Sequence, residues 1–160
     1  MAPSSGDPAP DFELPGVVDG HRSSYRLSEL AGHPVVLVFY PGDNTPVCTR
    51  QLNAYSSNAR ISFSGATEAR LDARILAISP QGLDSHEAFA ENEGGFAFPL
   101  LADEDKAVGR SYGVLGPMGF YRRCVFVVDG AGRLAYVHRG FAGSTFRRSD
   151  ELVEAIRAAG

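Results

Sequence analysis

Cysteine is scarce in this sequence: 160 residues contain two, Cys48 and Cys124, without CxxC or CxxCH spacing. That scarcity excludes a disulfide framework and a cysteine-built zinc site. The four histidines, His21, His33, His86 and His138, are scattered without a metal-ligand pattern. No metal and no cofactor is expected. An excess of positive charge is also missing. Fifteen basic residues stand against 19 acidic ones, for a net charge of −4, and the basic residues form no stripe that could neutralise a row of phosphates. Nucleic acid is therefore not an expected partner. No apolar run approaches membrane-spanning length, and the amino-terminal MAPSSGDPAP has neither a charged n-region nor an apolar h-region. The expectations are no membrane partner and a cytoplasmic location. What is present is ordinary globular composition, 44% hydrophobic and 21% charged, in a length that suits one domain over residues 1–160.

Along the chain, DFELPGVVDGHRSSYRLSEL holds two short extended pieces around the turn signal Asp19-Gly20, then a short helical or turn segment leading to Gly32. PVVLVFY, from Pro34 to Tyr40, is continuously apolar and β-branched, as in a central strand covered on both faces, and Pro41 ends it. A helix is predicted from about Pro46, capped by Asn44 or Thr45, with Leu52 and Tyr55 facing inward. SFSGATEARLDA reads as a loop or frayed helix, and RILAIS as a second buried strand. LDSHEAFAENEG reads as a helix capped by Asp84 or Ser85 and stopped near Gly94. FAFPLLAD carries a short strand and EDKAVGRSYGV a short helix ending at Gly113. CVFVVDGAGRLAYVH is the clearest hairpin, and a last helix covers about 150–159. This order describes an α/β domain with three layers and a central mixed sheet. It is the order of a thioredoxin-like fold with an added amino-terminal β-hairpin and an inserted β-α unit.

The chemistry gathers at PGDNTPVCTR, directly after VVLVFY. In an open sheet, ligands bind beyond the carboxyl ends of the parallel strands. Cys48 falls there, in the first turn of the predicted helix, where unpaired N–H groups and the helix dipole favour a thiolate. A buried, inert cysteine is the competing reading. Pro41, Thr45 and Cys48 form the pattern PxxxTxxC, which chance would give to roughly one cysteine in several hundred.

The stretch FYPGDNTPVCT resembles the peroxiredoxins, and especially their bacterioferritin-comigratory, or Q-type, branch. GDPAPDFELPG, DSHEAFAENEGGFAFPLLADEDKAVGRSYGV and RCVFVVDGAGRLAYV resemble the family's corresponding segments in the same order, so the likeness covers nearly the whole chain. The resemblance implies that Cys48 is the peroxidatic cysteine and that the Thr45 hydroxyl hydrogen-bonds the peroxide. Pro41 then shields the thiolate from water, and Arg123 is the active-site arginine. Thr45, Val47, Cys48 and Arg123 would contact substrate. A free thiol of pKa ~8.5 is already a few per cent ionised at neutral pH, so full ionisation gains only some tens-fold, and weaker nucleophilicity takes back about tenfold. Donors aimed at the shifting charge must therefore carry most of the acceleration.

The family's resolving cysteine, five residues after the peroxidatic one in many Q-type members, would fall at Asn53. The remaining thiol, Cys124, follows Arg123 in a strand, so the two side chains are expected on opposite faces, Cys124 in the core with Phe126 and Val128. Gln51 replaces the glutamate usual in the family. Arg122 is expected to be solvated, and His86 exposed or capping. Phe39 and Tyr40 read as strand core, either of which could line the site. GPMGFY could be site wall or interface, in a monomer or homodimer. The implied activity is a thiol-dependent peroxidase acting on hydrogen peroxide and small organic hydroperoxides through a Cys48 sulfenic acid. An external thiol would regenerate it: a thioredoxin, a glutaredoxin-like protein or a low-molecular-weight thiol. The alternatives are a peroxide sensor that passes oxidation to a partner protein, and a thioredoxin-type disulfide reductase, which the lack of CxxC disfavours.

Overall fold

The computed structural model describes residues 3–30, 32–43, 49, 74–96, 98–116 and 119–139. The predicted helix from Pro46, the segment SFSGATEARLDA and the last helix lie outside the described residues, apart from Thr49, which is helical. Strands β1 (Glu13–Val18) and β2 (His21–Arg26) form the amino-terminal hairpin. Asp19 and Gly20 both take positive φ, 50° and 76°, the turn geometry whose twist matches that of paired strands. Asp-Gly is the residue pair that supplies it at low cost. A 3-10 turn, Leu27–Leu30, leads to β3 (Val35–Phe39), and β4 (Arg74–Ser79) follows. Helix α1 (Leu83–Asn92), β5 (Leu100–Ala102), helix α2 (Ala107–Ser111), β6 (Cys124–Val128) and β7 (Leu134–Arg139) complete the described elements.

These strands make one mixed sheet in the order β2-β1-β5-β4-β3-β6-β7, with β3, β4 and β5 parallel and the remaining pairings antiparallel. All five β3 residues are buried, which is why VVLVF carries no polar alternation. On one face Val36, Val38 and Tyr40 pack with Ile75, Ala77, Val125 and Val127 under Phe89 of α1. On the other, Leu37, Phe39, Leu76, Ile78 and Phe126 pack with Val108 of α2 and Tyr112 just beyond it. Helices thus cover both faces, the three layers expected of the sequence. The outermost strand, β2, is largely exposed and lined with His, Arg and Ser, which suits an edge.

One local expectation is corrected. Helix α1 starts two or three residues earlier than a cap at Asp84 or Ser85 allows: its N-cap is Gly82, without a side-chain cap bond. Asp84 instead lies in the first turn and pairs with Arg22 at 2.6 Å, while Ser85 turns to a carboxylate described below. Gly94 does take positive φ, 80°, just past the helix, as its stop signal implies.

The topology positions the site. Parallel β3, β4 and β5 end on the same edge of the sheet, and antiparallel β6 begins there, because Cys124 pairs with Phe39. One more step of that ladder sets Arg123 beside Tyr40. Tyr40-Pro41, Ser79-Gln81, Asp103 and Arg123 therefore meet at the crevice where such sheets bind ligands.

Candidate active site

Of the predicted site residues, Pro41 and Arg123 are described; Thr45, Val47 and Cys48 lie outside the described residues, as do Gln51 and Asn53. Pro41 is half-buried at the exit of β3. The preceding Tyr40 still donates its N–H to Ile78 O at 3.0 Å; Pro41 has no N–H to continue the ladder, so the chain leaves the sheet there. Gly42 lies close against Gln81: a Cβ would sit 3.1 Å from its Nε2.

Asp43 then turns inward. Its side chain is 1% exposed and accepts from Tyr40 Oη, Ser85 Oγ and His86 Nδ1, each at 2.7 Å. Its backbone N–H donates to Gln81 Oε1 at 3.0 Å, an oxygen that also accepts from Ser79 Oγ at 2.8 Å. His86 is fully buried, correcting the expectation that it would be exposed or capping. Its Nε2 lies 2.9 Å from Leu101 O. A carboxylate and a carbonyl are both acceptors, and a neutral imidazole has one N–H.

Arg123 is 4% exposed and engaged by neighbours, so the buried guanidinium is not an isolated charge. The approach to it is tightly built. Tyr121 Oη donates to Asp103 Oδ2, whose carboxylate also accepts from the N–H groups of Val108 and Gly109 at 3.2 and 2.8 Å. Burial, then the bond to Asp103, pushes the Tyr121 phenol well above its usual value. Arg122 N–H donates to Val114 O at 2.7 Å, and its Nη2 donates to Gly113 O at 3.0 Å. Arg122 is thus half-buried rather than solvated, and its Nε is buried without a hydrogen-bond partner among the described residues. In GPMGFY the two aromatics divide: Phe120 is 66% exposed, whereas Tyr121 is core.

Cys124 is fully buried and shares a face with Phe39, Phe126 and Val128, opposite Val125 and Val127. Arg123 immediately precedes β6 and is buried. Arg139, opposite Cys124 in the register, stacks over Phe126 at 5.1 Å and donates to Tyr112 O at 2.8 Å. Burial lowers the Arg139 guanidinium below its usual value, with the nearby Cys124 thiol opposing. Phe39 and Tyr40 are both fully buried; Tyr40, through its hydroxyl on Asp43, belongs to the site's framework.

Sequence reasoning missed the Asp43–His86 pair. The available signal was an acid five residues before Cys48 and a histidine after the next strand, in a chain with only four histidines.

A family model described as the AhpC/TSA family matches residues 5–137. Peroxiredoxin-2 of Bos taurus is 37% identical over 139 residues, 82% of this chain and 67% of the relative. The selenocysteine-containing peroxiredoxin PrxU of Peptoclostridium acidaminophilum is 35% identical over 133 residues, 79% of this chain and 63% of that protein. Among solved structures, Mycobacterium tuberculosis AhpC superposes with a TM-score of 0.85 at 25% identity, covering 99% of this chain and 98% of that one. The bacterioferritin comigratory protein of Xanthomonas campestris gives 0.75 at 28% identity, covering 91% and 90%.

Proposed function

The chain belongs to the AhpC/TSA family, the peroxiredoxins, and is a thiol peroxidase; from that premise we propose that Cys48 is its nucleophile and that hydrogen peroxide and small organic hydroperoxides are its substrates. The Cys48 thiolate attacks the terminal peroxide oxygen and the O–O bond breaks. The departing oxygen takes a proton, so that thiolate, hydroperoxide and one proton yield sulfenic acid and an alcohol or water. Two equivalents of an external thiol then return the sulfenic acid to the thiol, releasing water and a disulfide. Thr45 hydrogen-bonds the peroxide, the backbone at Val47 and Cys48 contributes donors, Arg123 stabilises the charge moving onto the leaving oxygen, and Pro41 limits water at the thiolate.

The observation that carries this reading is Arg123: a buried cation, one ladder step from Tyr40, where β3 hands the chain through Pro41 toward Cys48. The enclosure of Cys124 on a core face supports regeneration by a thiol from outside the chain, either a small thiol or a thioredoxin- or glutaredoxin-like protein. FYPGDNTPVCT supports a place in the bacterioferritin-comigratory branch. The test is peroxide consumption with dithiothreitol. Sustained turnover by the wild type that disappears in Cys48→Ser is expected; one rapid oxidation without turnover contradicts a peroxidase role.

A further inference from the structure

The most extensive buried polar cluster beside the site has no part in the chemistry above. It consists of Asp43, Tyr40, Ser85, His86, Gln81 and Ser79, and it joins the start of the Cys48 segment to the start of α1. Its members come from three places: the exit of β3, the end of β4 with the connection after it, and the first turn of α1. The side chains of Asp43 and His86 are 1% and 0% exposed, so the pair is sealed from solvent. Burying such a polar pair is weak grounds for stability, because its desolvation offsets most of the attraction. Its geometric content is larger. Three donors converge on one carboxylate, its own backbone N–H is held by Gln81, and His86 is held from behind by Leu101 O in β5. Asp43 is five residues before Cys48 and two after Pro41. A shift of the carboxylate would be passed to the segment that carries the nucleophile, and displacements near 1 Å are costly for reactions that depend on alignment.

We propose that His86 is a positioning residue for the peroxide reaction: through its Nδ1 bond it fixes Asp43, five residues before Cys48, against α1 and β5. The role rests on the Cys48 reading above. It requires no contact between His86 and peroxide. The two ring nitrogens have separate duties. The Nδ1 side holds Asp43, and the Nε2 side holds the ring to β5.

Two substitutions separate those duties. In His86→Asn the amide nitrogen lies near the place of Nδ1 and keeps the donor to Asp43; in His86→Gln it lies near Nε2 and keeps the donor to Leu101 O. Each loses one of the ring's two hydrogen bonds, so both should lower the melting temperature similarly. The second-order rate of Cys48 oxidation by hydrogen peroxide, measured on the pre-reduced protein, should stay of wild-type order in His86→Asn and fall on the order of 100-fold in His86→Gln. Equal rates in both variants, whether wild-type or reduced, overturn the assignment. If His86→Gln fails to fold, Ser85→Ala decides. It deletes one donor to the same carboxylate, so a slower reaction supports the role and an unchanged rate overturns it. Wild-type protein that does not react with peroxide would refute the Cys48 reading itself, an outcome distinct from a reactive wild type with insensitive variants.

Discussion

Arg123 and His86 look alike in the sequence, each a basic residue at the start of an element, yet they are buried in different settings. Arg123, 4% exposed, lies where β6 begins, at the sheet edge where β3 ends. The family resemblance singled it out in the sequence. His86 is buried by Asp43, 43 residues earlier, together with a carbonyl of β5. Local reading of LDSHEAF sees a polar helix start and cannot register a partner that distant. Arg122 illustrates the same limit, since Gly113 and Val114 hold it through a loop whose closure the sequence did not announce. For the chemistry, the prediction concerns Arg123. Replacing it with Gln keeps hydrogen-bonding capacity but removes the charge at the shifting oxygen. Competition kinetics against a haem peroxidase should then show a fall of about 100- to 1,000-fold in the rate with hydrogen peroxide. A rate within a few-fold of wild type would place Arg123 outside the reaction.

Among the elements, the buried strands were the most legible. VVLVF, RILAIS and CVFVV are continuous apolar runs because both faces of the sheet are covered, and no shorter-range preference competes with that demand. The Asp19-Gly20 hairpin was equally plain, since its turn needs two residues that tolerate positive φ. The start of α1 was misread for a physical reason. Asp84 and Ser85 are good caps in isolation, but Arg22 and Asp43 claim them. Helix α2 rests on a tighter constraint. A Cβ at Gly109 would lie 2.6 Å from Tyr121 Cε1, and the ring is pinned through its hydroxyl to Asp103. Ala in place of a helical glycine normally gains about 1 kcal/mol. Here overpacking, typically about 1–3 kcal/mol, acts against a ring that cannot withdraw. Thermal unfolding of Gly109→Ala should therefore show a lower melting temperature; an increase would mean that Tyr121 can move aside.

For the whole molecule, strand order converts a linear motif into a site. Four chain segments, after β3, β4 and β5 and before β6, reach one edge of the sheet, so Pro41, Gln81, Asp103 and Arg123 gather although the sequence spreads them over 83 residues. The same register sends Cys124 into the core beneath Arg139 and Phe126. A thiol enclosed in this way needs local opening of the sheet before it can meet another sulfur, because a disulfide requires Cα atoms roughly 4.4–6.8 Å apart and converging Cβ directions. The proposed cycle, in which Cys48 is oxidised alone and an external thiol completes turnover, is open to direct test. The most direct measurement is the intact mass of the reduced protein after one equivalent of hydrogen peroxide, with no thiol present. The account predicts the gain of one oxygen atom, located on Cys48 by peptide mapping. Loss of two hydrogens within the monomer, the mark of a Cys48–Cys124 disulfide, would contradict it.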